Sequence, residues 1–199
     1  MNFAGPTKYF IRHQAIVQRP IHQSVIARLT ANQTSGLRRR VNSDFIVGIG
    51  GTVTASSYPD SLLVVMRKLR ARFPAKNISL VVFALKVLEP LPDESWIHVS
   101  SFEKANQADA LLSVDLLVNP WREQSQMYFA SNRTLDAINL GIPYLTPRTV
   151  ARVEQLGEDY PLYHDFCPSN GRFTDEIERQ IESLILKCID SNFRNQVRN

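Results

Sequence analysis

The stretch Ser131–Thr146, SNRTLDAINLGIPYLT, decides how the rest of the chain is read. It reads as a helix that ends on a glycine and runs directly into a short buried strand. Leu135 and Ile138 are three apart and share one apolar face, with Ala137 and Leu140 beside it. Gly141 stands where a helix closes in the left-handed conformation, and Pro143 bars its continuation. Asn132, Arg133 and Asp136 form the polar counterpart, and Arg133 and Asp136 share a helix face. Two readings of that pair stay open. It is either an internal surface pair, worth ~0.2–0.5 kcal/mol, or a cation and a carboxylate that hold a ligand with phosphates at one end and hydroxyls at the other.

Outward from this segment the chain alternates strand and helix. Phe45–Ile49, FIVGI, is a short apolar strand; the next helix, Ser61–Phe73, carries Leu62, Val65, Met66 and Leu69 at helical spacing and stops at Pro74. Ile78–Leu85, ISLVVFAL, is the unbroken apolar run expected of a strand covered on both faces. Trp96–Val99 is the third strand, Phe102–Ser113 a helix capped by Ser101, and Val114–Val118 the fourth strand, ending at Asn119-Pro120. A long polar and aromatic loop, Trp121–Ala130, leads into the helix quoted above and the strand Ile142–Leu145. A helix over Val150–Leu156, a short strand at Tyr160–His164 and a turn at Pro168–Gly171 precede the helix Asp175–Ile189, with Ile177, Ile181, Leu184, Ile185 and Cys188 inward. This order predicts an α/β fold: a Rossmann-like parallel sheet with helices on both faces. Ligands bind such sheets at the carboxyl ends of the strands, at a topological switch point. The candidate loops are therefore Gly50–Ser57, the segment after Leu85, Ser100–Phe102, Asn119–Ala130 and the start of the helix at Ser131.

The chain of 199 residues has room for one domain with an extension. Its net charge of +4 is unevenly placed. Residues 1–43 hold Lys8, Arg12, Arg19, Arg28, Arg38, Arg39 and Arg40 and no acid, so the boundaries expected are a basic extension or interdomain linker at 1–43 and a domain at 44–199. Within the extension KYFIRHQAIVQRP alternates like an edge strand, His22–Leu29 reads as a short helix and ANQTSGLRRR as a connector. Such a head suits a transit peptide, an arm for nucleic acid or a membrane surface, or a linker. The Arg38–Arg40 run lacks interleaved aromatics and no nucleic-acid motif accompanies it, so nucleic acid is not the expected partner. No apolar run approaches the ~20 residues that span a bilayer. Cys167 and Cys188 form no CxxC pair, and His13, His22, His98 and His164 show no HExxH pattern. The expectation is a cytoplasmic protein with reduced cysteines and no metal.

Gly50-Gly51-Thr52 closes the first strand, where glycines admit a ligand close to the backbone and free amides cradle phosphate. GIGGT is neither GxGxxG nor a P-loop, and a tight turn without a ligand is the equal alternative. Arg133, in the first turn of its helix, adds a guanidinium to the positive end of the dipole, a suitable diphosphate site. Asp136, one turn deeper, suits two vicinal ribose hydroxyls, or is a solvated helix-face carboxylate. Trp96 reads as core, Trp121 as loop packing or a sugar platform, His98 as structural, and Lys86 as a solvated lysine within reach of a phosphate.

Together these elements resemble the C-terminal, nucleotide-sugar-binding half of GT-B glycosyltransferases, in particular the large retaining, group 1-like family. FIVGIGGTVTASSYPDSLLVVMRKLRARFP resembles that family's first strand, glycine loop and first helix. WIHVSSFEKANQADALLSVDLLVNP resembles its strand, short helix and strand ending in Asp-hydrophobic-hydrophobic-Val-x-Pro, and SNRTLDAINLGIPYL resembles its Lys-x-x-Glu…Gly-x-Pro segment. FTDEIERQIESLILKCIDSNFRNQVRN resembles its closing helices, so the likeness covers roughly residues 44–199. The resemblance implies that Gly50, Gly51, Thr52 and Arg133 hold the donor diphosphate, that Asp136 holds the ribose, and that Ser101 and Phe102 lie against the base. It implies that Asn119–Ala130 faces the sugar and that no cofactor beyond the nucleotide-diphosphate sugar is needed. It also implies a partner, an N-terminal acceptor domain or subunit, that some 43 residues cannot supply.

The chain departs from the pattern in three places. Tyr128 stands where the family often has an acid, eight positions before the ribose carboxylate. Thr52, Thr54, Ser56 and Ser57 occupy a region where many members carry an arginine and a lysine. Asp136 is one methylene shorter than glutamate. Three functions follow: a glycosyltransferase domain that binds a nucleotide-diphosphate sugar and transfers the sugar to an acceptor; a catalytically degenerate domain of the same fold that binds or regulates; and half of a sugar-nucleotide epimerase, whose catalytic acids are not identifiable here.

Overall fold

The computed structural model describes residues 43–50, 60–84, 91–101, 107–119, 132–165 and 173–198. Six strands, β1 (Phe45–Gly50), β2 (Ile78–Ala84), β3 (Ile97–Ser101), β4 (Leu116–Val118), β5 (Tyr144–Pro147) and β6 (Tyr163–His164), form one sheet in the order β3-β2-β1-β4-β5-β6. Every pair is parallel. The helices are α1 (Asp60–Arg72), α2 (Gln107–Leu112), α3 (Asn132–Leu140), α4 (Val150–Leu156), α5 (Asp175–Ile189) and α6 (Ser191–Arg198). The basic extension to residue 42, Thr54, Ser56, Ser57, Lys86, Trp121, Tyr128 and Cys167 lie outside the described residues.

Alternation along the strands builds two cores. Phe45, Val47 and Ile49 of β1 and Leu80 and Val82 of β2 point to one face, where Leu62, Val65, Met66 and Leu69 of α1 and Ile177, Ile181, Leu184, Ile185 and Cys188 of α5 cover them. Ile46, Val81, Phe83, Leu117 and Tyr144 point to the other, under Ala110 and Leu111 of α2 and Ala137 and Leu140 of α3. The all-parallel sheet covered on both faces is the Rossmann-like architecture expected. Burial pushes the Cys188 thiol up to about 12, which keeps it an inert packing residue.

α5 has the bounds and the inward face read from its periodicity. Thr174 caps it, its hydroxyl accepting from the Ile177 amide at 3.3 Å, and three acids occupy its first turn. Its last carbonyls, of Cys188 and Ile189, accept from Arg194 of α6, which was not separated from the closing stretch in the sequence. Arg194 also pairs with Asp115 at 3.8 Å and lies 5.4 Å over the Phe45 ring.

Several boundaries shift for local reasons. Trp96 precedes β3 rather than opening it; its indole is 7% exposed in the core and donates to Glu94 Oε2 at 2.8 Å. β4 starts at Leu116 because the Ser113 and Val114 amides are still engaged by the carbonyls of Ala110 and Leu111. β5 starts at Tyr144 because Gly141 and Ile142 close α3. The Gly141 amide donates to Ile138 O, the Ile142 amide to Ala137 O, and Gly141 sits at φ 62°, a Schellman end. The expected strand from Tyr160 shortens to β6 because the Tyr160 hydroxyl instead clamps the Tyr144 backbone, accepting from its amide and donating to its carbonyl, both at 2.9 Å.

One side chain of α3 departs from the expected face. Thr134, Leu135, Ala137 and Leu140 are buried, whereas Ile138 is 39% exposed. It opens onto a groove of about 270 Å³ between α3, α4 and Val197 of α6, which leaves its part of the stripe uncovered.

Gly48 is closely packed against the second core. A Cβ there would meet Val114 Cγ1 at 2.9 Å and Phe83 Cε2 at 3.0 Å, and a β-branched side chain and a packed ring have little room to give. Gly48→Ala is expected to destabilise the fold by about 1–3 kcal/mol, read as a lowered midpoint in urea unfolding.

Candidate functional site

Because the strands are parallel, all their carboxyl ends meet at one edge of the sheet. Gly50 ends β1 there, opposite Phe83, and Ser101 ends β3, opposite Ala84. Gly51, Thr52 and Phe102 continue from these ends but lie outside the described residues. The chain leaves β1 toward β2 and leaves β4 toward β5, so the order reverses between β1 and β4. A crevice forms at such a reversal.

α3 links β4 to β5 and therefore starts at this same edge. Arg133 is its second residue and Asp136, half-buried, lies one turn further in. The first amides of a helix have no partner within it, and the dipole is positive there, so the end of α3 suits an anion. A carboxylate one turn deeper suits hydroxyl donors. The structure brings Gly50, Arg133 and Asp136 to the edge of the sheet where the order reverses, while Ser101 sits two strands away from β1, beyond β2.

Asn119, the first residue of the candidate loop 119–130, shares this edge with Thr134, Thr146 and Arg152, which the sequence pattern does not mark as site residues. The amide of Asn119, just past β4, donates to Leu145 O at 2.9 Å and so holds Asn119 beside β5. Thr134 of α3 and Thr146 of β5 are both fully buried. Arg152 of α4 is also fully buried; its Nη1 donates to Gln155 Oε1 at 3.0 Å, its amide to the capping hydroxyl of Thr149 at 3.3 Å, and burial pushes its pKa down. A guanidinium nevertheless stays charged. A lone threonine inside the apolar run GIPYLTP is the only sequence signal for Thr146; Arg152 carries none that distinguishes it from a surface arginine.

His164 closes β6 at this edge but is not built for catalysis. It is 2% exposed, its Nδ1 donates to Asp165 O at 2.7 Å, and its Nε2 is enclosed without a partner among the described residues. Burial pushes its pKa down to about 4, so the ring is neutral at physiological pH. His98, half-buried on β3, is also shifted down by burial. Among the described residues, no three His, Cys, Asp or Glu side chains gather where a metal ion could be held, and no helix is long and apolar enough to cross a membrane.

No family model and no curated protein sequence matches this chain. Solved structures do. Anabaena Alr3699/HepE in complex with UDP and glucose is similar over 83% of this chain and 45% of its own, with a TM-score of 0.57 and 15% identity. A UDP-forming α,α-trehalose-phosphate synthase from Burkholderia xenovorans is similar over 87% of this chain and 44% of its own, at TM-score 0.56 and 13% identity. The GtfA/B complex is similar over 78% of this chain and 31% of its own, at TM-score 0.56 and 12% identity. This chain therefore spans less than half the length of each. These are GT-B glycosyltransferases, and at such identities the likeness is one of fold: the chain has a GT-B-like, Rossmann-type fold.

The enclosed His164 makes stability depend on pH with a definite sign. The unfolded imidazole takes up a proton below about 6.5, whereas the folded one refuses it down to about 4. Stability is complete above this window and falls as pH drops through it. Urea unfolding near pH 5 should show ~2 kcal/mol less stability from this residue than near neutrality. His164→Asn, which keeps a donor for Asp165 O but cannot titrate, should remove that part of the slope.

Proposed function

We propose that this chain is the nucleotide-sugar-binding domain of a glycosyltransferase, corresponding to the C-terminal half of a retaining, group 1-like GT-B enzyme. The observation that carries the reading is the position of α3. Its N-terminus, with Arg133 in the first turn and Asp136 one turn in, lies at the carboxyl edge where the strand order reverses, in a fold shared with proteins solved with UDP or UDP-glucose. The donor's diphosphate sits at Arg133, the α3 amides and Gly50–Thr52, its ribose hydroxyls on Asp136, and its base toward Ser101 and Phe102. In the transfer, the bond from the anomeric carbon to the diphosphate oxygen breaks and one to an acceptor oxygen forms. The negative charge arriving on the departing nucleoside diphosphate is met by the guanidinium and the helix end, with no metal or further cofactor. The acceptor and any base come from a second domain or subunit, consistent with a chain that spans under half of its structural relatives.

A second reading, a degenerate domain that binds without transfer, is favoured by Tyr128 in place of the acid and by Thr52, Thr54, Ser56 and Ser57 in place of cations. Calorimetry with UDP, GDP and ADP tests the donor site that both readings can share. One nucleotide should bind, and Arg133→Ala should weaken it about tenfold or more, the value of a hydrogen bond to a charged group. Asp136→Ala should weaken the nucleoside diphosphate but leave inorganic pyrophosphate unaffected. A folded protein that binds none of the three nucleotides removes the donor site. Nucleotide binding without turnover, in the presence of an acceptor-binding domain or subunit, selects the degenerate domain.

A further inference from the structure

Three polar side chains at the carboxyl edge, beside the first turn of α3, have enclosed atoms without a hydrogen-bond partner among the described residues. Leu117 faces Tyr144 and Val118 faces Leu145 across β4 and β5, so the next residues, Asn119 and Thr146, are lateral neighbours. Alternation puts both on the side of Leu117 and Tyr144, which α3 covers. Thr134 sits on the buried side of that first turn. Asn119 Nδ2, Thr134 Oγ1 and Thr146 Oγ1 are enclosed, and none has a hydrogen-bond partner among the described residues. Thr134 and Thr146 are each 0% exposed, and Asn119 is half-buried.

Leaving a buried polar group unpaired is costly, whereas valine fills the space of threonine without that cost. Selection for packing alone would favour apolar residues at these positions. The Asn119 amide nitrogen, which only donates, two hydroxyls able to donate and the positive end of a helix together suit an oxygen that only accepts. Resting on the donor reading above, we propose that Asn119, Thr134 and Thr146 form a seat for an oxyanion: a phosphate oxygen of the nucleoside diphosphate, received beneath α3. Thr134 and Thr146 are binding residues additional to Arg133, Asp136 and the glycine loop, and Asn119 takes a phosphate oxygen rather than the sugar that the resemblance assigned to its loop.

The test is Thr146→Val and Thr134→Val in the full chain, read in two ways. Urea unfolding without ligand should show a midpoint unchanged or raised, because an unpaired hydroxyl has been removed. Calorimetry should show UDP and inorganic pyrophosphate each weakened about tenfold, and Thr146→Ser, which restores a hydroxyl, should recover most of the affinity. Unchanged affinity together with a lowered midpoint overturns the seat and assigns the cluster to a structural water. Wild-type protein that binds UDP as tightly as its valine variants overturns the seat and leaves the donor reading standing. If wild type binds pyrophosphate in a Thr146-dependent way but no nucleotide, the seat stands and the donor reading falls; if it binds neither, both fall.

Discussion

The reversal of strand order depends on how Asp115 holds the start of β4 against β1. Its amide donates to Ile46 O, and its carboxylate Oδ2 accepts from the Ile46 amide, both at 2.9 Å. One residue thus satisfies both backbone groups of Ile46 at the amino edge and sets the register that places Leu116 beside Val47. The carboxylate is buried, and Arg194 from the last helix supplies the opposite charge while also capping α5 and covering Phe45. Removing Arg194 leaves the buried Asp115 carboxylate without its opposite charge, which destabilises the start of β4. The consequence reaches the other edge. β4 emerges beside β1 rather than beside β3, and only that adjacency puts α3 at a crevice.

The elements that were legible in the sequence are those whose signal is local. α5 is bounded by a threonine cap and carries five inward residues at helical spacing, and its limits in the structure are those read from the pattern. Gly141 and Pro143 marked the end of α3 because only glycine takes a positive φ there readily. The boundaries that moved are governed by contacts across the chain. Tyr160 reads as a strand residue until its hydroxyl is seen to occupy the Tyr144 backbone, and Ile138 reads as core until the neighbouring helices are seen to leave it uncovered. Arg194 looks like one more charge in a polar tail. Its importance lies in Asp115, 79 positions earlier, and no periodicity records that pairing.

The candidate site was legible to the same extent. The place of Arg133 and Asp136 at the carboxyl edge follows from alternation of strands and helices, since any helix leaving a parallel strand begins at that edge. Thr134 and Thr146 cannot be found this way, and Asn119 enters only as the first residue of the loop 119–130. Each is a single polar residue in an otherwise apolar pattern, and they become a group only when β4 and β5 are paired and α3 is laid over them.

The two edges of the sheet therefore treat polar groups in opposite ways. At the amino edge they are matched: Asp115 with Ile46 and Arg194, and Asp44 with Asn77, whose amide donates to Asp44 Oδ2 at 2.9 Å while its carbonyl accepts from the Asp44 amide at 2.8 Å. At the carboxyl edge Asn119 Nδ2, Thr134 Oγ1 and Thr146 Oγ1 are enclosed and have no hydrogen-bond partner among the described residues. A fold gains nothing in stability from the second arrangement, and a few unpaired groups consume a meaningful share of the 5–15 kcal/mol that a domain of this kind has in reserve. Stability is accordingly concentrated where the register is set. The edge where α3 begins keeps enclosed polar groups that have no partner among the described residues.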